Sequence, residues 1–540
     1  MSTSRRRFLQ TTAGALGCTL LSRHTVHGQN GKRPNILLIM ADDMGYSDAS
    51  CYGGEIDTPH LSSLAKNGLR FTQHYSTGRC WPSRACILAG YYAQHIRRDS
   101  MPGISTGRRP DWAPLLPAVL GEYGYRSYHS GKWHIDGTPE EGGFDRSWGR
   151  HKHGCDWDRF FDSEAWQEGG VTAPVEEGES YYSTVAIADH AIQCLKLHEQ
   201  NHSDSPFFQY VAFYSPHFPL HAMQQDIDRY REAYRKGWDH VREERLNRMH
   251  EMGITQAALS ERESEIVPGW NLSPDELRSR IGDGEVAYAV EWDSLTEEQK
   301  EFQATKMAIH AAMITRMDLE IGRIIEQLKA MGEFENTLIL FVSDNGASAE
   351  QIIRGDGHDP EAPLGSADSY LCLGPGWSTA ANTPFRLHKH WTHEGGISSP
   401  LIVHWPAGIA AQGALRHDPS HFIDFFPTAL EAAGVDPTAE QLGDGPERPG
   451  RSLTDSFAQD GALQHDCLWW FHSGNRAIRQ GEWKLTGRKG TSGEWELYNL
   501  RQDRSETKNL AQEHPEKVGA LSQQWQQMAE QFKADLEEQG

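Results

Sequence analysis

The chain has 540 residues, with 52 lysines and arginines against 75 aspartates and glutamates, and its formal net charge is −23. With 38% hydrophobic and 24% charged residues, the composition is typical of a globular protein and excludes a chain that is disordered throughout. The acidic balance argues against a nucleic-acid-binding protein, which would carry a basic field. The sequence contains no run of about 20 apolar residues, so we expect no transmembrane span in the mature protein.

The N-terminus resembles a bacterial twin-arginine export signal. Arginines at positions 5–7 precede a mildly apolar stretch over residues 11–21, and small residues near positions 26–28 offer a cleavage site. This pattern predicts a signal peptide over residues 1–28, the Tat machinery as a partner, and a periplasmic or secreted protein. The alternative is a lipid anchor on Cys18, because the residues before it weakly resemble a lipoprotein cleavage box.

Five short apolar runs, each closed by polar or glycine-rich sequence, predict buried strands of a mostly parallel sheet. In chain order these runs are Asn35–Met40, Tyr125–His129, Phe207–Tyr214, Thr337–Val342 and Leu401–Trp405. A helical pattern with one apolar stripe covers Met307–Met331. Strands that alternate with helices predict an α/β fold, with a large mostly parallel sheet sandwiched by helices over residues 34–433.

Three further segments complete the predicted organisation. Residues 223–300 are rich in charged side chains and are interpreted as a helical and loop insertion over the rim of the site, while the polar residues 434–460 are interpreted as a linker. Four runs alternate with strand-like period 2, at Cys467–His472, Ala477–Arg479, Glu482–Leu485 and Trp495–Tyr498. With a last helix over His514–Glu537, they predict a C-terminal antiparallel sheet and helix subdomain over residues 461–540.

Acidic and basic side chains accumulate at the ends of the predicted strands. They are Asp42 and Asp43 after the first run, Lys132 and His134 after the second, His217 after the third, Asp344 and Asn345 after the fourth, and Arg386, Lys389 and Glu394 before the fifth. Ligands of α/β sheets bind outside the carboxyl ends of the strands. One such residue would be read as a solvated loop, but the coincidence of five strand ends predicts a binding site.

Two features of this set indicate its chemistry. Asp42, Asp43, Asp344 and Asn345 offer hard oxygen ligands, which suit Ca²⁺ or Mg²⁺ rather than zinc. Cys80 stands at the start of a predicted helix, where it is either a buried thiol or a nucleophile with a lowered pKa. The spacing of the residues leaves both interpretations open.

The motifs then resemble one family. Cys80-x-Pro-Ser-Arg84 with Leu88-x-Gly90 is similar to the signature of the type I sulfatases, the formylglycine-dependent branch of the alkaline phosphatase superfamily. Other matching segments occur in family order at Asp42–Gly45, Thr58–Leu61, Gly131–His134, Ser215–His217, Ser343–Gly346 and Lys389–Gly396. The resemblance runs from about residue 34 to the C-terminus, and residues 382–391 are most similar to the bacterial arylsulfatase branch. It implies an alkaline phosphatase-like fold.

The resemblance implies that Cys80 is oxidised to Cα-formylglycine, which requires a maturation enzyme as a partner. The hydrated aldehyde would supply the nucleophilic oxygen, and the reaction would pass through a covalent sulfo-enzyme intermediate. The resemblance implies one metal ion, with Ca²⁺ expected rather than Mg²⁺. Its implied ligands are Asp42, Asp43, Asp344, Asn345 and the formylglycine oxygen at position 80.

Among the remaining matched residues, Arg84 would hold the gem-diol and offset charge beside the metal. Lys132, His217 and Lys389 would contact the sulfate oxygens. His134 would act as the base that takes a proton from the diol. The proton for the leaving alkoxide would come from His217 or Lys389, and the sequence leaves this choice open.

The chain departs from the family pattern at Ala89, where threonine is usual, and this change is expected to affect the yield of formylglycine. A Gly/Asp loop at residues 355–359 is a weaker candidate for a second metal, and it is typical of a turn. Residues 151–155 and Trp157 are candidates for substrate contacts at the rim. Three tryptophans near the motif loops are candidates for stacking on an aryl or sugar ring: Trp112, Trp377 and Trp391.

Together these features predict an exported sulfatase, a sulfuric ester hydrolase that acts on aryl sulfates or sulfated carbohydrates. One alternative is a phosphoester or phosphonate hydrolase of the same superfamily, which would need a larger anion subsite or a second metal. The other is a non-catalytic protein that binds sulfated glycans, in which Cys80 would stay unmodified.

Overall fold

The computed structural model describes residues 32–149, 160–161, 164–166, 168, 172–174, 181–355, 357–436, 439–490 and 494–538. The predicted signal peptide with Cys18, the rim candidates at residues 151–155 and Trp157, and Asp356 of the Gly/Asp loop lie outside the described residues.

The strands, in chain order, are β1 Asn35–Ala41, β2 Leu69–Tyr75, β3 Arg126–Gly131, β4 Arg146–Trp148, β5 Glu164–Trp166, β6 Thr172–Pro174, β7 Phe207–Ala212, β8 Thr337–Ser343, β9 Ser398–His404, β10 Ala414–Arg416, β11 Ser420–His421, β12 Leu468–His472, β13 Asn475–Gln480, β14 Trp483–Gly487 and β15 Glu496–Asn499. The α-helices are α1 Pro59–Lys66, α2 Cys80–Ala89, α3 Leu116–Glu122, α4 Ser183–His202, α5 Gln224–Ile227, α6 Gly237–Glu251, α7 Pro274–Arg280, α8 Glu297–Ala330, α9 Gly374–Ala381, α10 Glu394–Ile397, α11 Phe425–Ala432, α12 Thr454–Ala458 and α13 Pro515–Glu538.

The main sheet has the strand order β10-β2-β9-β8-β1-β7-β3-β4, and β11 pairs with β2. The strand pairs β8–β1, β1–β7 and β7–β3 are parallel, whereas β9 runs antiparallel to both β8 and β2. Met40 of β1 lies opposite Val342 of β8 and Ala212 of β7, so these three strands end at the same level. Because β9 is reversed, the residues that precede it reach the same edge of the sheet.

Helices cover both faces of this sheet, and β1 shows how. Leu37 and Ile39 pack into the cluster that contains the buried side chains of α4 and α8. Ile36 and Leu38 point the other way, into the cluster formed by α2, α3 and α11. Successive side chains of a strand face opposite sides, so a strand covered on both faces is a continuous apolar run. The predicted helix-sandwiched, mostly parallel sheet is therefore confirmed.

Two parts of the fold differ from the expected elements. Helix α8 begins at Glu297, well before the predicted Met307, and Thr296 with Gln299 forms a capping box at its start. Because the first turns of the helix are charged, the apolar pattern in the sequence did not indicate this extension. Strand β2 has no predicted counterpart because it contains Arg70 and Gln73, yet it lies inside the sheet and leads directly to Cys80.

The C-terminal region forms an antiparallel sheet in the order β12-β13-β14-β15, as predicted, and α13 packs against it. A buried ionic cluster joins this sheet to the main domain: Glu394 pairs with Lys484 at 2.9 Å and with Arg504 at 3.1 Å. Glu394, which the sequence predicts near the site, thus helps to attach the C-terminal sheet to the main domain. Among the described residues, no helix combines the length and the apolar character that crossing a membrane requires.

Candidate active site

The segments that follow β1 and β8 bring four oxygen-bearing side chains together at one edge of the sheet. Asn345 Nδ2 donates to Asp43 Oδ1 at 2.6 Å, and the Asp43 backbone N–H donates to Asp344 Oδ1 at 3.2 Å. Asp42 is buried beside them, and Asp43 adopts a left-handed backbone conformation with φ of 65° that turns the chain at the strand end. The tertiary structure thus assembles the predicted ligand set Asp42, Asp43, Asp344 and Asn345.

These carboxylates repel one another in a buried environment. Burial and the neighbouring charge of Asp42 raise the pKa of Asp344 to about 7. Burial also opposes ionisation of Asp42, but the charges of Lys132, His217 and Arg84 outweigh it and lower the pKa of Asp42. Two carboxylates that compete in this way would both be stabilised by an added cation.

Three cationic side chains balance the three carboxylates. Arg84 Nη2 contacts Asp344 Oδ2 at 2.7 Å and lies 3.6 Å from Asp42 Oδ2. Lys132 Nζ donates to Asp42 Oδ2, and Lys389 Nζ donates to Asp43 Oδ2 at 2.8 Å. A divalent ion added to this balanced cluster would leave it positive, which suits an anionic substrate.

The residues fit a divalent cation. Among the described residues, Asp42 Oδ1 and Asn345 Oδ1 are buried oxygens without a hydrogen-bond partner, and such atoms are costly unless a water or an ion satisfies them. Ligand atoms of Asp42, Asp43 and His217 lie within 4.8 Å of one another. The carboxylate and amide oxygens favour Ca²⁺ or Mg²⁺, and His217 is an addition that the predicted oxygen set did not include.

Cys80 begins α2, directly after the turn that follows β2, and its side chain is buried. Burial raises the pKa of its thiol to about 11, although Lys132, Lys389 and Arg79 lie close enough to oppose this shift. The unmodified thiol is therefore protonated at neutral pH. Of the two interpretations that the sequence left open, the buried thiol is the one that this environment favours.

The two predicted histidines have different neighbours. His217 Nδ1 donates to the Phe218 carbonyl, so Nε2 faces Asp43 Oδ2, 3.7 Å away. His134 has a left-handed backbone with φ of 55°, and its ring lies 5.7 Å from that of Trp81, the residue after Cys80. His217 therefore joins the acidic cluster, and His134 packs near Trp81, the residue that follows Cys80.

Sequence reasoning missed two residues that lie against this cluster. Glu350 is buried, with Oε2 3.4 Å from Lys389 Nζ and 3.2 Å from Arg79 Nη1. Arg79 directly precedes Cys80. Both occur in segments that also carry predicted site residues, and a search for further charges within a few residues of Cys80 and Asn345 would have found them.

Several other sequence candidates lie elsewhere. Arg386 pairs with Glu263 and Glu496 instead of joining the cluster. The three tryptophans proposed for stacking pack mainly within the protein: Trp377 is fully buried against Trp238 and Trp292, Trp391 is buried against His388 and His390, and Trp112 packs on Tyr91 and His95. Within the Gly/Asp loop, His358 Nδ1 accepts a hydrogen bond from the Tyr370 backbone N–H.

Comparison with known proteins places this geometry in context. Residues 34–435 match the sulfatase family, and residues 385–535 match a family described as N-sulphoglucosamine sulphohydrolase, C-terminal. The chain is 33% identical to an uncharacterized sulfatase of Schizosaccharomyces pombe, over 92% of this chain and 93% of the relative. It is 30% identical to an arylsulfatase of Klebsiella aerogenes, over 79% and 92% of the two chains. The crystal structure of Ps i-CgsB in complex with k-i-k-neocarrahexaose is similar, with a TM-score of 0.64, 22% identity and 93% of each chain covered.

Proposed function

Because the chain belongs to the sulfatase family, the sulfuric ester hydrolases, we propose that it hydrolyses sulfate monoesters of carbohydrates. The observation that carries this proposal is the buried cluster in which Arg84, Lys132 and Lys389 surround three carboxylates beside Cys80. A carbohydrate substrate is supported by the match of residues 385–535 to the family described as N-sulphoglucosamine sulphohydrolase, C-terminal, and by the similarity to a structure in complex with k-i-k-neocarrahexaose.

One divalent ion would be held by Asp42, Asp43, Asp344 and Asn345, and Ca²⁺ is preferred to Mg²⁺ as its identity. When bound, this ion would supply Lewis-acid stabilisation of the negative charge that develops on the sulfate oxygens. The buried oxygens of Asp42 and Asn345 without hydrogen-bond partners support this assignment. His217 directs Nε2 at the same cluster, because Nδ1 is bonded to the Phe218 carbonyl; if this nitrogen were a ligand of the ion it would carry no proton for the leaving alcohol, so the two roles exclude each other.

Cys80 is the proposed precursor of formylglycine, whose hydrate would supply the nucleophilic oxygen. The conversion requires a maturation enzyme as a partner. A protonated, buried thiol is a poor nucleophile, and this supports a modification at position 80. Position 80 also lies at the N-terminus of α2, where the helix dipole favours a group that carries negative charge.

The remaining residues have proposed roles that follow from their charges and contacts. Arg84 is held by Asp344, the Lys132 carbonyl and the Tyr210 hydroxyl, so its guanidinium is preorganised to offset charge beside position 80. Lys132 and Lys389 would neutralise the sulfate oxygens. His134, beside Trp81, would accept a proton from the nucleophilic group.

His217 and Lys389 are the two candidates for the acid that protonates the leaving alcohol, and kinetics would separate them. Removing the true acid raises the sensitivity of kcat/KM to the basicity of the leaving group, because a poor leaving group depends most on protonation. A series of substituted phenyl sulfates, measured with His217→Ala and Lys389→Ala, identifies the acid as the residue whose loss steepens this dependence.

Export through the Tat machinery to the periplasm or the exterior is the proposed location, since the arginines at positions 5–7 and the following apolar stretch resemble a signal peptide. Fractionation of the native host, with N-terminal sequencing of the mature protein, tests this proposal. A lipid-modified Cys18 at the new N-terminus would support the anchored alternative.

The function itself is tested by two measurements on protein from the native host. Mass spectrometry of the peptide across Cys80 should show the aldehyde, and the same preparation should hydrolyse 4-nitrophenyl sulfate faster than 4-nitrophenyl phosphate. Faster turnover of the phosphate would favour a phosphoester hydrolase. Binding of sulfated sugars without turnover, with an intact thiol at position 80, would favour a glycan-binding protein.

A further inference from the structure

An exposed indole is linked to the acidic cluster through Glu350 and Lys389. Among the described residues, the exposed large hydrophobic side chains are Met252, Trp270 and Tyr288, and Trp270 is 45% exposed. Trp270 Nε1 donates to Glu350 Oε1 at 2.9 Å, and the other oxygen of Glu350 lies 3.4 Å from Lys389 Nζ. A single carboxylate, that of Glu350, thus connects an apolar ring to a proposed sulfate-binding lysine.

The position of this indole is held by its neighbours. The His390 ring meets it edge-on with centroids 4.7 Å apart, and the Arg79 guanidinium lies 5.8 Å from its ring centroid. Arg79 also lies 5.2 Å from the ring centroid of Trp81, which follows Cys80. An exposed hydrophobic residue is common on any surface, but an exposed indole fixed by a hydrogen bond and two ring contacts beside a catalytic cluster is preorganised for binding.

The charges around the indole are already compensated. Arg79 contacts both carboxylate oxygens of Glu350, at 3.2 and 3.4 Å, and Lys389 contacts Asp43 as well as Glu350. A ligand ring that carried a second anionic group would have to compete with Glu350 for these cations. The surface therefore favours an uncharged ring that has one apolar face and polar edges.

We propose that Trp270, together with Trp81 and Arg79, forms the subsite for the alcohol part of the substrate, and that this subsite takes a neutral hexose ring. This assignment rests on the proposed sulfatase function. The indole face would pack against the C–H face of the sugar, while the hydroxyl groups at the ring edge would meet the polar groups of Arg79 and His390. Trp270 is thereby a specificity-determining residue contributed by the insertion.

Replacement of Trp270 tests this assignment. Trp270→Ala should lower kcat/KM for a hexose 6-sulfate about tenfold, mainly through KM, since an aromatic contact contributes a free energy of this order. Trp270→Phe keeps an aromatic face but loses the bond to Glu350, and it should recover most of the activity. Tyr288→Ala removes another exposed ring of the same insertion and serves as the matched control, with no change expected.

Inorganic sulfate has no ring, so its inhibition constant should be the same for Trp270→Ala and the parent enzyme. An equal weakening of sulfate inhibition would show that Trp270 acts through Glu350 and Lys389, and would overturn the subsite. A loss confined to 4-nitrophenyl sulfate, with hexose 6-sulfate unaffected, would overturn the assignment to a hexose.

A binding measurement separates this inference from the function on which it rests. The affinity of Cys80→Ala for hexose 6-sulfate, measured by calorimetry, should fall about tenfold when Trp270→Ala is added. This binding measurement does not depend on turnover. If the enzyme carries formylglycine but hydrolyses no sulfate ester, the proposed function is refuted, while the tenfold difference in affinity would still support the role of Trp270. Equal affinities of the single and double variants would refute the role of Trp270.

Discussion

Replacing Glu394 with glutamine tests how the C-terminal sheet is attached to the main domain. The Glu394 carboxylate is fully buried between Lys484 and Arg504, and it accepts a hydrogen bond from the Tyr75 hydroxyl at 3.0 Å. Lys484 keeps a second partner, Glu506, at 2.8 Å. The substitution keeps the shape of the side chain but leaves the charge of Arg504 buried without its carboxylate.

The expected magnitude follows from the cost of an uncompensated buried charge. Removing one partner of a buried ion pair lowers the free energy of unfolding by about 3–5 kcal/mol. At about 2.1 cal/mol/K per residue, unfolding a chain of 540 residues has an entropy change on the order of 1 kcal/mol/K. Glu394→Gln should therefore lower Tm by about 3–5 °C, measured by differential scanning calorimetry at pH 7.

The control and the pH dependence make this prediction specific. Glu482→Gln removes the partner of Arg501 from an exposed pair of the same sheet, 2.9 Å apart, and should cost at most about 1 kcal/mol. Burial opposes ionisation of Glu394, but Lys484, Arg504 and Arg479 outweigh it and lower its pKa to about 2.

A carboxyl group with a lowered folded-state pKa contributes its full stabilisation above its unfolded pKa of about 4.3 and loses it as the pH falls toward the folded value. The Tm difference between Glu394→Gln and the parent should thus shrink below about pH 4. Equal Tm values at pH 7, or a difference no larger than that of Glu482→Gln, would refute this account of the docking cluster.

Further predictions concern the proposed active site. Chelation should abolish hydrolysis of 4-nitrophenyl sulfate and added Ca²⁺ should restore it, while Asn345→Leu should weaken Ca²⁺ binding in calorimetry; activity that resists exhaustive chelation contradicts the metal site. Cys80→Ala should eliminate turnover, whereas Cys86→Ala, which removes another buried thiol of α2, should retain it in the same assay. Lys132→Ala should lower kcat/KM about 10²–10³-fold, as expected for a preorganised charge at the reacting group, and a loss below tenfold would argue against sulfate contact. Ala89→Thr should raise the fraction of formylglycine at position 80 in peptide mass spectra, and an unchanged fraction would show that threonine is dispensable there.

The sequence by itself determined the fold class and most of the central strands. A strand that is buried on both faces reads as a continuous apolar run, as Asn35–Ala41 and Thr337–Ser343 do, and this signal is local. The order of motifs also identified the family, which the match over residues 34–435 confirms. The residues that follow the apolar runs were predicted as a site because parallel strands end at one edge of a sheet.

Only the tertiary structure decided how the remaining parts meet. The antiparallel direction of β9 brings Lys389 to Asp43, although the two residues are far apart in the chain. Glu394 lies only five positions after Lys389, yet it pairs with Lys484 of the C-terminal sheet. Nothing in the local sequence indicates that these two charged residues have partners in different parts of the fold. Trp270 donates to Glu350, which lies 80 positions later in the chain. Local periodicity reports which side chains are buried, whereas the partner of a buried charge depends on the packing of distant segments, and this packing has no local signature.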